Sequence, residues 1–153
     1  MIPTGAIIDL PLPSPFKSRL KFIAMKRESD GEVFVELLAP LIVKTRCGNI
    51  EVPQGFISDG ASIPPIAQRI TGDPFSFEFL HAAIIHDALY RKDFLDHISR
   101  ANADLIFRDL MWNTEVPFWK IPPFYAAVRS FGWRSYKKVS EISIHPKAIP
   151  IPE

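Results

Sequence analysis

The chain has 153 residues, 47% of them hydrophobic and 23% charged, with 18 Lys+Arg against 17 Asp+Glu for a formal net charge of +1. One domain of this length buries a core without disulfide or metal staples, and a lone cysteine, Cys47, excludes an internal disulfide framework. The near-neutral balance supplies neither the basic field that holds nucleic acid nor the polybasic stripe that holds an anionic membrane, and no run approaches the ~20 apolar residues of a membrane span.

The 15 prolines are about twice the average share, and they gather at the two ends (Pro3, Pro11, Pro13, Pro15; Pro146, Pro150, Pro152). Residues 1–18 therefore read as an extended arm and 136–153 as an extended tail, bracketing one globular domain over 19–135. The first residues lack the basic n-region and continuous apolar h-region of a signal peptide, so none is expected.

Strand-like runs follow at Arg19 to Met25, Glu32 to Leu38, Leu41 to Thr45 and Asn49 to Val52. Ser29-Asp30-Gly31 and Cys47-Gly48-Asn49 are turn signals between them, which predicts two hairpins of an antiparallel sheet. In the second run Val33, Val35 and Leu37 alternate with Glu32, Phe34 and Glu36, the pattern of a sheet with one packed face. Gly55 to Pro65 then forms a shaped loop: Asp59-Gly60 is a tight-turn pair, and Ser62 with Pro64-Pro65 stiffens the exit.

Asp73-Pro74 is a helix-start signal, and from Phe79 to Leu89 the residues are apolar nearly all round the helix circumference. A helix apolar on every face is buried on every face, yet this one carries His81, His86 and Asp87. Such groups need partners, since an unpaired polar group in a dry interior costs roughly 2–7 kcal/mol. Ser99 caps a second helix over Arg100 to Asn113, with Ala103, Ile106, Phe107, Leu110 and Met111 in one stripe and Asp104 at its edge. Pro122-Pro123 opens a third helix, Phe124 to Phe131, with Gly132 as its C-terminal stop. The fold class expected is α+β: an N-terminal antiparallel β-sheet of hairpins packed on about three C-terminal α-helices.

If the first two helices pack antiparallel, Asp104 faces His86. A carboxylate on one imidazole nitrogen fixes the tautomer and leaves the other nitrogen as a general base. Tyr90 lies one turn after both His86 and Asp87 and can shield them. Asp87, about 100° round the helix, is then available to a cation or to the loop carrying Asp59, Gly60 and Ser62. His81 lies about 140° from His86, a poor helical metal pair, and reads with His97 as an ordinary partly exposed histidine. The competing reading of the same residues is architectural, a polar network pinning two helices to the loop. For Asp104 alone, a surface pair with Arg108 is a further alternative. The aromatic residues Trp112, Phe118, Trp119, Phe124, Tyr125, Phe131 and Trp133 are expected in core and contact surface.

SDGASIP (Ser58 to Pro64), HDALYR (His86 to Arg91) and ADLIF (Ala103 to Phe107), in that order, resemble a family of small phage- and prophage-encoded proteins described only as a domain of unknown function. That resemblance implies a viral or prophage origin: a tail or tail-assembly component, made in the bacterial host cytoplasm and carried in the virion. Its partners would be other particle proteins, met through the proline-rich termini, and self-association is compatible with it.

His86-Asp87-Ala88-Leu89-Tyr90 is also similar to the helix of secreted phospholipase A2, with Leu89 where that family has cysteine. This second resemblance implies a small hydrolase: His86 and Asp104 activate water, and Asp87 holds a divalent cation such as calcium. The paired cysteines and the calcium-loop glycines of that family are absent. A His-Asp metal phosphohydrolase is a third resemblance, but it needs a separated upstream histidine, and only His81 precedes His86 within the helix.

Overall fold

The computed structural model describes residues 4–29, 31, 33–58, 79–91, 98–114, 116–134, 136 and 149–151. Among these residues, seven strands come first and last around three α-helices: β1 (Ile7–Leu10), β2 (Leu20–Lys26), β3 (Val33–Leu37), β4 (Leu41–Thr45), β5 (Gly48–Val52), β6 (Ile57–Ser58), α1 (Leu80–Tyr90), α2 (Arg100–Trp112), α3 (Ile121–Phe131) and β7 (Ile149–Ile151). This is the expected α+β class, with one change of topology. The two hairpins do not share a sheet: β1-β2-β3-β6 form one antiparallel sheet and β4-β5-β7 another.

The division falls at Ala39-Pro40, just where the chain leaves β3 for β4. The segment between β1 and β2 ties the sheets together. Phe16 bridges Val43, the Lys17 amide donates to the Ile42 carbonyl at 2.8 Å, and the Lys44 amide donates to the Pro15 carbonyl at 3.1 Å. The Ile42 amide in turn donates to Ser18 Oγ at 2.8 Å. An edge strand otherwise presents unpaired backbone, and residues 15–18 supply partners for β4 on that side.

Residues 1–18, read from the prolines as an arm, thus contain a strand in full register with β2 (Ile7 opposite Ile23, Leu10 opposite Leu20) and a buried Phe16. Proline spacing spoke only for extended backbone, and extended backbone is also what a sheet edge takes up. In the tail, Ile149–Ile151 pair with β5. At the β4–β5 turn, Thr45 Oγ1 donates to the Gly48 carbonyl and accepts from the Cys47 amide. Gly48 holds φ +101°, a left-handed conformation that side-chain-bearing residues rarely adopt.

Leu20, Phe22, Ala24, Val35 and Leu37 from the first sheet, Leu41, Val43, Ile50 and Val52 from the second, and the apolar faces of all three helices form one buried cluster. Every residue of α1 is buried, as an all-round apolar helix requires. Asp73-Pro74 lies outside the described residues; α1 follows Phe79, with no side-chain cap.

On α2, Ser99 Oγ accepts from the Asn102 amide, and the stripe from Ala103 to Met111 is buried as expected. Asp104 is not at the edge of that stripe but fully buried, because α3 covers the flank that α1 leaves. α3 begins three residues earlier than the prolines suggested, with Pro122 inside its first turn, where a missing N–H breaks no helical bond. The helix ends at Phe131 with Gly132 as its cap, as expected; Gly132 has φ −66°, and the chain continues into a 3-10 turn over Gly132–Arg134.

Candidate functional site

His86 packs on Phe107 (ring centroids 4.7 Å), while Tyr90, one turn on, reaches Asp104, one turn back, so α1 and α2 run antiparallel. Arg100 donates to the carbonyls of Val128 and Arg129 while Phe107 meets Phe124, so α2 and α3 are antiparallel too. That three-helix arrangement brings the polar groups of all three elements onto one carboxylate.

Asp104 Oδ1 accepts from His86 Nε2 at 2.8 Å and from the Tyr90 hydroxyl at 2.5 Å. Its Oδ2 accepts from Arg129 Nη1 at 2.7 Å, with Arg100 Nη1 at 3.5 Å. Burial alone would push the Asp104 carboxyl up. The hydrogen bonds from His86, Tyr90 and Arg129 outweigh it and hold the group below the ordinary carboxylate range. Ionised, it can only accept, so the proton between it and His86 resides on Nε2. The Tyr90 hydroxyl is pushed far above its usual value, by burial first and by the Asp104 charge second, and so remains a donor. The hydrogen bond to Asp104 likewise raises Arg129, which keeps its charge.

The expected pairing of His86 with Asp104 is therefore present, and the proposed access to water is not. Both side chains are 0% exposed. His86 lies against Tyr90 at 4.1 Å between ring centroids and makes a further contact besides these. Tyr90, expected as a shield, is also a donor in the network. The other alternative for Asp104 is corrected: Arg108 lies over the Tyr125 ring at 5.2 Å and beside Asp109 at 3.9 Å, while the i,i+4 partner of Asp104 is Arg100.

Asp87 faces away from this cluster. Arg91 Nη2 stands 3.7 Å from its carboxylate, and the same Arg91 donates to the Ile57 carbonyl of β6 and lies over Phe56 at 4.6 Å. Arg91 thus joins the end of α1 to the first sheet beside the point where the SDGASIP segment begins. The candidate loop residues Asp59, Gly60 and Ser62 lie outside the described residues, as does His97. Among the described residues no group of three or more His, Cys, Asp or Glu side chains is placed to hold a metal ion.

His81 is corrected as well. It is 5% exposed, edge-on to Phe16 at 5.1 Å, and burial lowers its pKa to about 4.

Sequence reasoning missed Arg129, and it read Gly132 only as a helix stop, not as the neighbour that leaves room for the Tyr90 hydroxyl. Arg129 reads from the sequence as a basic residue in the last turn of a helix, favourable to the helix dipole and otherwise unremarked. The i,i+4 spacing of Arg100 and Asp104 was available as a signal.

No helix among the described residues is long and apolar enough to cross a membrane. No solved structure matches the chain. It is 36% identical over 99 residues to a Sinorhizobium fredii protein described as "Uncharacterized protein y4jT", a match covering 62% of this chain and 28% of that one. The chain thus aligns with less than a third of its relative's length. A family model described as "Protein of unknown function (DUF1353)" matches residues 35–128, from β3 to within α3, a span that holds His86, Asp87, Tyr90 and Asp104. The chain belongs to this family.

Proposed function

We propose that the protein is a non-catalytic component of a phage particle, of the tail or its assembly, in which the His86–Asp104 cluster is architectural. The observation that carries the architectural half is the state of Asp104: fully buried, with donors from α1, α2 and α3 on its two oxygens. A general base must meet the proton it abstracts, directly or through one water. A His86 with no exposed surface, pressed between Tyr90 and Phe107, supports a pin rather than a base. A buried, fully satisfied polar network fixes helix register, which suits a part that must present one rigid surface to its neighbours.

The particle half is supported by the resemblance of Ser58 to Pro64, His86 to Arg91 and Ala103 to Phe107 to phage-encoded proteins, and by the proline-rich ends as contacts for adjacent particle proteins. On this reading the chain is made in the bacterial host cytoplasm and leaves in the virion. Two measurements test it. Particles purified from an induced lysogen contain the chain by mass spectrometry; its absence from particles and from assembly intermediates overturns the particle reading. His86→Ala lowers the melting temperature, and the wild-type chain hydrolyses neither phospholipid nor simple ester and amide substrates with or without calcium. Turnover abolished by His86→Ala at unchanged stability overturns the architectural reading.

A further inference from the structure

Arg100, in the first turn of α2, and Arg129, in the last turn of α3, meet over Asp104 where the two helices run side by side. Each reaches the carboxylate through one nitrogen only. Arg129 Nη1 donates to Asp104 Oδ2 at 2.7 Å. Arg100 Nη1 stands 3.5 Å from the same oxygen and donates to the carbonyls of Val128 and Arg129 at 3.4 and 3.1 Å. Beyond these, Arg100 acts on the Tyr90 hydroxyl, where burial and the Asp104 charge outweigh it. The Nε and Nη2 of both arginines have no hydrogen-bond partner among the described residues.

Nε and Nη2 together form the side edge of a guanidinium, the fork that matches the two oxygens of a carboxylate. The chain uses that match elsewhere: Arg46 holds Asp109 by this edge, Nε at 2.8 Å and Nη2 at 3.0 Å. At Arg100 and Arg129 the edge is open. Their side chains are 21% and 34% exposed, so solvent reaches them, while the Asp104 side chain that fixes them is 0% exposed. A buried anchor holds the two forks in place before a ligand arrives, which leaves less side-chain freedom to lose on binding. Charge selects the ligand. Two guanidinium charges stand against one carboxylate charge, an excess of one positive unit, which a second carboxylate neutralises and a phosphate dianion overshoots.

The end of α3 adds apolar surface. Phe131 and Trp133, two and four residues after Arg129, are 39% and 61% exposed. Arginine and aromatic residues are the types enriched where proteins meet. A free carboxylate on an open seam stays largely in water, whereas a polypeptide brings apolar neighbours that cover the pair. We propose that Arg100 and Arg129 form a carboxylate-binding site at the seam of α2 and α3, and that it takes the acidic side chain of a partner polypeptide. The site stands whether or not the chain is a particle component, since it rests on the open forks and not on that reading.

The test follows the arginine Nε–H resonances of the full wild-type chain by NMR, assigned through the backbone, while a probe is added at constant ionic strength. The probe is acetyl-Leu-Glu-Leu-amide, with acetyl-Leu-Gln-Leu-amide, acetate and inorganic phosphate as comparisons. Saturable shifts are expected at Arg100 and Arg129 and not at Arg46, whose fork is closed on Asp109. The glutamate peptide should bind at least ~tenfold more tightly than acetate or phosphate, and the glutamine peptide should move neither resonance. Arg100→Lys and Arg129→Lys each keep the charge beside Asp104 and remove one fork. Each should raise the peptide Kd at least ~tenfold, read at the arginine that remains. Shifts at Arg100 and Arg129 no larger than at Arg46 overturn the proposal, and so does a glutamine peptide that binds as well as the glutamate one. Phosphate binding more tightly than the glutamate peptide overturns the ligand class, and acetate binding as tightly as the peptide overturns the polypeptide partner.

Discussion

The Tyr90 hydroxyl occupies the place where a side chain on Gly132 would begin: a Cβ built there meets the oxygen at 2.5 Å. Gly132 is therefore needed for space, not for backbone freedom, since its φ of −66° is open to any residue. The neighbour cannot give way cheaply, because the same hydroxyl donates to buried Asp104.

Gly132→Ala is accordingly expected to destabilise by about 1–3 kcal/mol, the usual range for overpacking. In a Tyr90→Phe background the oxygen is gone and the nearest ring carbons stand at 3.4 Å, so the same substitution should cost much less. A double-mutant cycle by urea denaturation measures the difference, with a coupling on the order of 1 kcal/mol or more expected. Additive effects would show that Gly132 is not held open for Tyr90.

Two aspartates on α2 should behave very differently. Asp104 is sealed among donors, so Asp104→Ala leaves Arg129, His86 and Tyr90 facing a void and should cost about 3–5 kcal/mol. Asp109 makes a well-formed bidentate pair with Arg46, but both side chains are about a third or more exposed, and Asp109→Ala should cost at most about 1 kcal/mol. Thermal melts separate the two, at roughly 2–4 °C per kcal/mol for a domain of this size. Asp104 also sets an acid limit. Its folded-state pKa is depressed, so its stabilisation is fully present above the ordinary carboxylate value of 3.8 and is lost as pH falls below that through the folded value.

The helices were legible because their signals are local. Ser99 as a cap, the five-residue stripe on α2, and the all-round apolar character of α1 each follow from spacing within a few turns. The His86–Asp104 pairing was legible for a related reason: two helices joined by a short connection have few ways to pack, and a buried imidazole on one needs an acceptor on the other. Arg129 was not, because it reaches Asp104 from 25 positions away on a third helix, and nothing in its own neighbourhood distinguishes it from a solvent-facing arginine. The split into two sheets and the recruitment of Ile7–Leu10 failed for the same cause, since strand partnership is long-range and alternation reports only which face is packed.

Arg91 makes one connection that lysine cannot reproduce. Its guanidinium at once donates to the Ile57 carbonyl, lies over the Phe56 ring and stands beside Asp87, joining α1 to the first sheet. A planar fork does all three; a point charge on a flexible stem does not. Arg91→Lys is expected to lose on the order of 1–2 kcal/mol despite keeping the charge. Hydrogen exchange should show the loss locally, as faster exchange at the C-terminal turn of α1 and at the Ile57–Ser58 strand. Unchanged exchange there would mean that the helix is held to the sheet by its apolar face alone.

His81 gives the chain a second dependence on pH, at milder acidity than Asp104. The imidazole is buried against Phe16, and burial lowers its pKa from 6.5 to about 4. The unfolded chain therefore binds more protons than the folded one between those values, so stability rises with pH across that window. The contribution is intact above about 6.5 and is lost progressively as pH falls toward 4, by about 3 kcal/mol at 1.36 kcal/mol per unit. His81→Leu, which keeps the apolar contact with Phe16 and removes the titrating group, should flatten that slope between pH 6.5 and 4 while leaving the steeper loss below it, where the Asp104 cluster and the remaining carboxylates protonate. Urea midpoints at half-unit intervals of pH measure both limbs. If wild type and His81→Leu run parallel through the upper window, the imidazole is reached by water in the folded state and carries no such penalty.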